Sequence, residues 1–333
     1  MTHRTLAPRR LAAAAALALA LPLAACGSSS DDADDAGEAW TYTDDLGTEI
    51  ELDAAPERIV AQSSVAAALT QLGLGDKIVG VFGPVTNVEG EVDNQAAGLD
   101  ADAVEDVTGS GDYGDIDVER VAGLEPDLVL TSVYLEPQLW YMSDAVKEDL
   151  QKQFPIGVIS FDGKTLPEIF DSTERLAAAL GADESAFEEG RTAFEEAADR
   201  LRAIADGPNP SILGVSYSPD LFYVSNPEVS QDLNYYKDEL GLDLIVPDNP
   251  DEGGYFESLS WEEADKYDAD IAFWDDRIGQ AGLDALKDEK VWGTTTAARN
   301  DAYIPWTSVF PPTASAVADV MNTFADGLET YTD

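Results

Sequence analysis

Apolar runs alternate with amphipathic segments through the first part of the chain. "RIVAQ" (58–62) and "KIVGVF" (77–82) predict buried strands, and "SVAAALTQLG" (64–73) between them predicts a helix that ends at a glycine. A strand, a helix and a strand in this order predict a βαβ unit with two parallel strands. "IGVIS" (156–160) predicts a further strand, and "TYTDDLGTEIEL" (41–52) predicts a leading hairpin that turns at Asp-Leu-Gly.

Two distant segments share one pattern of a short helix, a turn and a buried strand. They are "IDVERVAGLEPDLVLTS" (116–132) and "LSWEEADKYDADIAFWD" (259–275). Three matched pairs are each 143 positions apart: Asp117 and Ser260, Glu119 and Glu262, Asp127 and Asp270. This echo, together with the matched secondary structure, predicts two related α/β lobes.

The second half of the chain carries its own strand and helix signals. Strands are predicted at 211–217, 221–224, 270–274 and 302–305, and a closing helix at 313–328.

Two helical segments lie between the predicted lobes. "LPEIFDSTERLAAAL" (166–180) ends at a glycine, and "ESAFEEGRTAFEEAADRLRAIA" (184–205) ends at Asp-Gly-Pro. A helix of 22 residues is roughly 33 Å long, because each residue adds 1.5 Å. It can therefore cross from one lobe to the other, and such a rigid connection suits lobes that move little.

The N-terminus predicts export. Arg4, Arg9 and Arg10 precede the apolar run 11–25, which is too short for a permanent membrane span, and small residues lead to Cys26. The "LAAC" ending resembles the lipobox of bacterial lipoproteins, which implies a lipid on Cys26; an ordinary secretory signal and twin-arginine export are the alternatives. Cys26 is the only cysteine and cannot form an intramolecular disulfide.

The resulting domain prediction has five parts. The acidic segment after the cysteine has no large apolar side chain to bury, so we expect it to act as a disordered tether. The parts are a signal peptide (1–25), the lipidated cysteine with its tether (26–39), an N-terminal α/β lobe (40–183), an interlobe helix (184–206) and a C-terminal α/β lobe (207–333).

Charge and composition narrow the function. The formal net charge is −47, and loss of the three leader arginines reduces 19 basic residues to 16 against 66 acidic ones. Such a surface repels phosphate backbones, which argues against a nucleic acid partner. The only histidine, His3, lies in the leader, so the mature chain lacks the groups for Ser-His-Asp or Cys-His catalysis and the usual zinc and haem ligands.

Candidate ligand contacts follow from the rule that open α/β sheets bind ligands beyond the C-terminal ends of their strands. Most of these positions carry aromatic side chains, which suit a large, partly apolar ligand. The candidates are Ser63, Ser64, Phe82, Tyr134, Trp140, Tyr141, Tyr217, Trp274, Arg277 and Trp306.

Several of these candidates have a structural alternative. Phe82, Tyr217 and Trp306 are equally compatible with core packing, and Trp140 and Tyr141 point apart if they are helical. Tyr134 and Trp274 are taken as equivalent strand ends in the two lobes. Arg277 can instead pair with Asp275 or Asp276, and the two serines can instead cap the following helix. Tyr235 and Tyr236 could ligate bare ferric iron, but they fall in a predicted helix away from the strand ends.

The chain resembles the substrate-binding lipoproteins of bacterial ABC importers for iron–siderophore complexes and vitamin B12. The resemblance covers residues 41 to about 325 and is carried by 44–62, 72–81, 125–130 and the long interlobe helix. It implies two Rossmann-like lobes joined by that helix, a shallow cleft between them, no enzymatic activity, and delivery to an ABC permease with a separate ATPase. The chain itself has no G-x-x-x-x-G-K-[ST] loop. Ala67 stands where family members often carry a glutamate that docks on the permease.

The preferred ligand is a ferric siderophore of the hydroxamate type, and no cofactor is expected. Few cations and many aromatic residues disfavour strongly anionic citrate or catecholate complexes. If the protein serves transport, the alternative ligand is cobalamin or haem. Two alternatives outside transport are also open: a lipoprotein that binds another protein, and an enzyme that uses the carboxylates of Glu262 and Glu263. We expect a monomer held by its lipid on the outer side of the cell membrane, in a cell with one membrane or two.

Overall fold

The computed structural model describes residues 39–111 and 113–332. The predictions for the signal peptide, Cys26 and the tether as far as residue 38 lie outside the described residues. Residues Gly37–Asp333 form one compact unit. In the part of the chain that is described, no helix combines the length and apolar character needed to cross a membrane.

Thirteen strands are present among the described residues. They are β1 (Trp40–Thr43), β2 (Glu49–Leu52), β3 (Ile59–Gln62), β4 (Ile78–Phe82), β5 (Glu105–Asp106), β6 (Leu128–Leu135), β7 (Gln138–Leu139), β8 (Ile156–Ser160), β9 (Ile212–Tyr217), β10 (Phe222–Ser225), β11 (Phe256–Leu259), β12 (Ile271–Asp275) and β13 (Tyr303–Trp306).

The α-helices are α1 (Ser63–Leu69), α2 (Val118–Gly123), α3 (Asp144–Leu150), α4 (Leu166–Ala179), α5 (Ser185–Ala205), α6 (Gln231–Asn234), α7 (Gly279–Asp288), α8 (Thr296–Arg299) and α9 (Ala314–Thr332). Short π-helical turns continue two of them, at Thr70–Leu74 and Tyr235–Glu239. Single 3₁₀ turns lie at Gly75–Lys77, Asn94–Ala96, Trp261–Glu263, Asp276–Ile278 and Trp292–Thr294.

The first lobe is built on the sheet that contains β3 to β8. Strands β3, β4, β5, β6 and β8 run parallel in the order β5-β4-β3-β6-β8, and the two-residue β7 pairs antiparallel with β6. Helix α1 connects β3 to β4, which confirms the predicted βαβ unit. The leading hairpin of β1 and β2 forms a separate antiparallel pair.

The second lobe is built on the sheet β11-β10-β9-β12-β13. Strands β9, β12 and β13 are parallel, whereas β10 returns directly from β9 and is antiparallel to both of its neighbours. Helix α9 covers this sheet, and the rings of Phe273 and Phe324 stack with centroids 4.1 Å apart. The mixed α/β architecture with two lobes confirms the predicted fold class.

Matched aspartates hold the central strands of the two lobes. Asp127, directly before β6, accepts hydrogen bonds from the backbone amides of Glu57 and Arg58 at the start of β3, both at 2.9 Å. Asp270, directly before β12, accepts from the amide of Ser211 at 3.0 Å and from its hydroxyl at 2.8 Å, at the start of β9. The two carboxylates therefore perform the same task in both sheets.

Helix α5 is the long helix between the sheets, one residue shorter at each end than the predicted range 184–206. Arg191, near its start, pairs with Glu174 of α4 at 2.8 Å, and Arg200 pairs with Glu329 of α9 at 2.7 Å. Phe194 packs on Phe170 with centroids 5.1 Å apart. The first half of α5 is therefore fastened to a first-lobe helix and its second half to the helix that covers the second sheet. The domain boundaries themselves stay a prediction.

Candidate functional site

A cavity of about 280 Å³ lies between the two lobes. Both lobes contribute to its lining, which is mainly apolar, has seven aromatic side chains and carries one cation and one acid. The side chains that matter below are Tyr113, Tyr134 and Trp140 from the first lobe and Gln231, Asp232, Tyr255, Arg277 and Trp306 from the second.

The first-lobe wall is a cluster of aromatic rings in mutual contact, one pair stacked and the others tilted or edge-on. Tyr134, near the end of β6, stacks on Phe161 with centroids 4.3 Å apart and lies 4.8 Å from Trp140. Tyr113 lies 4.7 Å from Tyr141, centroid to centroid. Such contacts stabilise the rings by about 0.5–1.5 kcal/mol each beyond the burial of their area. The wall is therefore largely formed before any ligand arrives.

Trp140 combines a fixed position with a free donor. Its carbonyl accepts the Thr131 hydroxyl at 2.9 Å and its amide donates to the Ser132 carbonyl at 2.8 Å. Its indole Nε1, by contrast, is buried and has no hydrogen-bond partner among the described residues. A buried donor without a partner costs about 1–3 kcal/mol, so an acceptor oxygen on a ligand would relieve that cost.

Arg277 supplies the cation of the second-lobe wall. Its Nε and Nη2 donate to the two carboxylate oxygens of Asp275 at 2.9 and 2.6 Å, a bidentate pair. Burial lowers the pKa of Arg277, but the hydrogen bonds and charge of Asp275 outweigh burial and raise it above its ordinary value. Nη1 has no hydrogen-bond partner within residues 39–111 and 113–332. Nη1 of Arg277 can therefore donate a hydrogen bond to a ligand, while the carboxylate of Asp275 already balances the positive charge of the guanidinium.

Asp232 is the acid of the cavity and is almost fully buried, with 3% of its surface exposed. Burial raises its pKa to about 6, and the hydrogen bond from Trp306 Nε1, 2.6 Å long, limits the rise. Its carboxylate has no cationic partner among the described residues. Asp232 is therefore an uncompensated negative charge at neutral pH.

Hydrogen bonds between the lobes close the cavity at its edges. The Tyr255 hydroxyl donates to the Tyr134 carbonyl at 2.7 Å, and Gln231 Nε2 donates to the Phe161 carbonyl at 3.1 Å. On another side, Asn94 Nδ2 donates to Asp276 at 2.6 Å. Burial raises the pKa of Asp276 to about 6, against the opposing hydrogen bonds of Thr307 and Asn94.

The structure brings four of the ten predicted contacts to the cavity: Tyr134, Trp140, Arg277 and Trp306. Tyr141 lies beside them, with its ring 5.3 Å from that of Trp140, but outside the lining. The remaining five lie elsewhere: Ser63, Ser64, Phe82, Tyr217 and Trp274.

Packing explains why these five lie outside the cavity. The hydroxyls of Ser63 and Ser64 are buried and hydrogen-bonded to Gln62, whose side chain caps α1, so they serve the helix start. Phe82 is buried in the first-lobe core, with 1% exposed. The Tyr217 hydroxyl donates to the carbonyl of Gly282 at 2.8 Å.

Trp274 calls for a correction of the predicted equivalence. It belongs to the buried second-lobe core and pairs within its sheet with Val215. With the 143-residue offset, Trp274 corresponds to Thr131, whereas Tyr134 corresponds to Arg277. The equivalent pair that lines the cavity is therefore Tyr134 and Arg277.

Sequence reasoning missed the cavity residues outside strand ends. Tyr113 lies in the glycine-rich loop "GSGDYGD", where an aromatic residue was a usable signal, and it is 61% exposed. Gln231 and Asp232 begin the helix that contains Tyr235 and Tyr236, and those tyrosines are themselves buried. Nothing in the local pattern marks the start of that helix as a cavity wall. The described residues contain no group of three or more His, Cys, Asp or Glu side chains placed to hold a metal ion.

Comparisons with known proteins agree with this architecture. A family model described as periplasmic binding protein matches residues 59–309. The chain is similar to the crystal structure of DesE, a ferric-siderophore receptor protein from Streptomyces coelicolor, at 35% identity, with 87% of this chain and 98% of that chain covered and a TM-score of 0.79. A search of curated proteins finds no match.

More distant solved structures share the fold. The petrobactin-binding protein YclQ from Bacillus subtilis is 18% identical, with a TM-score of 0.66 over 88% of this chain and 99% of that chain. The haem-binding protein HmuT is 16% identical, with a TM-score of 0.63 over 90% of this chain and 93% of that chain.

Proposed function

The chain belongs to the periplasmic binding protein family, and from this premise we propose that it captures a ferric siderophore of the hydroxamate type and delivers it to an ABC permease. Proteins of this family bind a solute and release it without chemical change. The 35% identical relative is described as a ferric-siderophore receptor, which supports iron chelates as the ligand class.

The observation that carries this proposal is the composition of the cavity wall. The rings of Tyr134, Trp140 and Trp306 provide apolar area for the carbon skeleton of a chelator, and Phe161 supports Tyr134 from behind. Trp140 Nε1 and Arg277 Nη1 are donors without protein partners among the described residues, and they suit the oxygens that surround a chelated iron.

The charge balance selects among chelate types. Three hydroxamates neutralise ferric iron, so their complex has no net charge at the metal. Catecholate and citrate complexes retain several negative charges, and the single cavity cation, Arg277, is already paired with Asp275. Asp232 adds a negative charge to the same wall, so strongly anionic complexes are disfavoured.

The location follows from the N-terminal sequence. We propose that the leader is removed and that Cys26 carries a lipid, which anchors the protein to the outer face of the cell membrane. The acidic tether then lets the folded unit, which begins near Trp40, reach a permease in that membrane. Export by a signal peptide also places the chain where iron chelates arrive from outside the cell.

Ligand titration of the chain from Gly27 onward tests the proposal, since this chain keeps the whole compact unit Gly37–Asp333. Tryptophan fluorescence is followed while a ferric trihydroxamate is added, and saturable quenching is expected because Trp140 and Trp306 line the cavity. A ferric tricatecholate, ferric citrate, cobalamin and haem are titrated in parallel.

The outcomes separate the candidates. Tighter binding of the trihydroxamate than of the other four supports the proposal, and weaker quenching in Trp140→Phe locates the ligand in the cavity. Tight binding of haem or cobalamin without any hydroxamate binding would replace the proposed ligand by the alternative.

A further inference from the structure

The buried acids of the protein differ in what neutralises them. Four acidic side chains are buried in the part of the chain that the structure describes: Asp44, Asp232, Glu257 and Asp275. Glu257 and Asp275 each pair with a lysine or an arginine, and Asp44 accepts two backbone amides in the turn between β1 and β2. Of these four, only Asp232 lines the aromatic cavity, and it has no lysine or arginine partner among the described residues.

The contacts that Asp232 does make are to neutral groups. Trp306 Nε1 donates to its carboxylate at 2.6 Å, and the backbone amides of Asp232 itself and of Leu233 also favour its charged form. Burial outweighs these contacts and raises the pKa of Asp232 to about 6, and the negative charge of Asp275 adds to the rise. Since the donors carry no net charge, the negative charge of Asp232 stays uncompensated within the protein.

The charge of Asp232 acts on side chains across the cavity. Burial raises the pKa of Tyr134 on the first-lobe wall, and the charge of Asp232 contributes to that rise. Burial likewise raises the pKa of Tyr255, which directly precedes β11, and Asp232 again contributes. Tyr134, Tyr255 and Trp306 line the same cavity as Asp232. A ligand in this cavity therefore meets the field of a buried carboxylate.

Arg277 is the opposite charge in the lining, and it does not neutralise Asp232. Its guanidinium is held in the bidentate pair with Asp275. Its positive charge opposes the rise in the pKa of Tyr134 that burial causes, whereas the charge of Asp232 adds to that rise. A mainly apolar cavity thus contains one cation with a free donor and one anion without a cation, so a ligand with both oxygens and an ammonium group matches it.

We propose that Asp232 binds a protonated amine of the ferric siderophore inside the aromatic cavity, while oxygens of the chelate face Arg277 and Trp140. This inference rests on the proposed function and names the residue that selects a cationic ligand within it. An ammonium group has three donors, so it can donate to the carboxylate without displacing Trp306 Nε1, and the rings of Tyr134 and Trp306 also favour a cation. The bound amine supplies the countercharge that the protein lacks.

A matched pair of ligands tests this assignment. One is a linear ferric trihydroxamate that ends in a primary amine, and the other is the same chelate acetylated on that nitrogen. Calorimetric titration of the chain from Gly27 onward at pH 7.5 and 150 mM salt measures both. We expect the amine form to bind at least about tenfold tighter, because hydrogen bonds between charged groups are among the strongest in proteins.

The pH dependence of this preference identifies the carboxylate. An alkylammonium group keeps its proton up to about pH 10, whereas Asp232 binds a proton as the pH falls below its pKa of about 6. At pH 5 the ammonium group must displace that proton, so the amine form should bind up to about tenfold more weakly than at pH 7.5. The acetylated form should change less than about twofold.

The neighbouring groups do not produce the same dependence. The charged or titratable side chains coupled to Asp232 or facing the same cavity are Asp275, Arg277, Tyr113, Tyr134, Tyr236 and Tyr255. The pKa values of Arg277 and of the tyrosines are raised above their ordinary values, far from this pH range. Asp276 also has a pKa of about 6, but it does not line the cavity, and the acetylated chelate controls for its titration.

Variants assign the preference to one side chain. Asp232→Asn keeps the shape of the side chain and removes its charge, so the amine form should bind only as tightly as the acetylated form at both pH values. Asp162→Asn is the control, because Asp162 is a partly exposed acid whose charge adds to the burial that raises the pKa of Tyr255, yet it does not line the aromatic cavity. This control should keep the preference, and thermal melting verifies that both variants fold.

Each result has one meaning. If the wild-type protein binds both chelates equally, the role of Asp232 is refuted and the proposed function stands. A preference that survives in Asp232→Asn, that Asp162→Asn abolishes as well, or that is the same at pH 5 and pH 7.5 also overturns the inference. If neither chelate binds while haem or cobalamin does, the proposed function itself fails and the inference fails with it.

Discussion

The two lobes have the same sheet centre and different edges. In both, an aspartate before one central strand binds the start of its parallel neighbour, Asp127 in the first lobe and Asp270 in the second. Beyond this centre the first lobe continues through a helix to a parallel strand, β4, whereas the second turns back at once into the antiparallel β10.

This difference shows which part of an α/β lobe is shared by the two segments whose matched positions lie 143 residues apart. The matched positions maintain the central strands, where burial on both faces constrains every residue. The walls of the cavity are not alike: both lobes supply aromatic rings, but its charged lining residues, Arg277 and Asp232, come from the second lobe. At the equivalent strand ends stand Tyr134 and Arg277, an aromatic ring opposite a cation.

The largest expected effect concerns the two residues that were paired by prediction, Trp274 and Tyr134. Trp274→Ala removes a buried core ring and should lower the free energy of unfolding by about 3–5 kcal/mol. Tyr134→Ala should cost less stability, because Tyr134 is only partly buried, and should weaken ligand binding. Urea unfolding measures the first effect; a loss below about 1 kcal/mol for Trp274→Ala would contradict its position in the core.

The next largest effect is the pH dependence of the free energy of unfolding that is caused by Asp232 in the second-lobe wall. Its folded pKa of about 6 exceeds the ordinary 3.8, so the folded state binds a proton more tightly and this group's contribution to stability falls as pH rises from about 4 to 6. The free energy of unfolding of the Asp232→Asn variant should therefore be higher than that of the wild type by up to about 3 kcal/mol at pH 7.5. At pH 4 the two proteins should differ little.

Urea unfolding at the two pH values measures this difference. Asp238→Asn, at an exposed acid on the same helical segment, serves as the control and should show no comparable pH-dependent gain. A gain for Asp232→Asn that is equal at pH 4 and pH 7.5 would contradict a raised pKa.

A third prediction compares aromatic residues of the two lobes as ligand contacts. Trp140→Ala should weaken binding of a ferric trihydroxamate by about 1–3 kcal/mol, or roughly 5–150-fold, because an aromatic ring of the cavity wall and its free indole donor are lost. Tyr217→Ala, at a second-lobe strand end outside the cavity, should change the affinity less than about twofold. Equal losses in calorimetric titration would show that the ligand also contacts Tyr217.

The smallest effects test the shared centre of the sheets. Asp127→Ala and Asp270→Ala should each lower the free energy of unfolding by about 1–2 kcal/mol, because each carboxylate accepts two hydrogen bonds at a partly or fully exposed site. Urea unfolding of both variants should give similar values. A difference above about 1 kcal/mol between them would break the equivalence.

Local elements were well predicted from the sequence alone. The strands of the βαβ unit, the strand at 156–160 and helix α5 agree with the structure to within a residue or two at their ends, whereas α1 ends four residues before the predicted end and a π-helical turn continues it. Hydrophobic periodicity and the stop at Asp206-Gly207-Pro208 act over a few residues, so a single chain segment contains the information.

The membership of the cavity was predicted only in part. Tyr134, Trp140, Arg277 and Trp306 follow from the strand-end rule, but Trp274 and Phe82 satisfy the same rule and are core. An aromatic side chain near a strand end has the same local pattern in both cases. Which face of the sheet it occupies depends on the helices that cover that sheet.

The sequence by itself determined the fold class, the long rigid connection and the scarcity of cations, because periodicity, stop signals and composition are properties of the chain. Only the tertiary structure decided that Asp275 balances Arg277 and that Asp232 is buried with no lysine or arginine partner among the described residues. The physical reason is that charge pairing, burial and cavities arise between segments far apart in sequence. Tyr134 and Tyr255, which meet through one hydrogen bond across the lobes, are 121 residues apart.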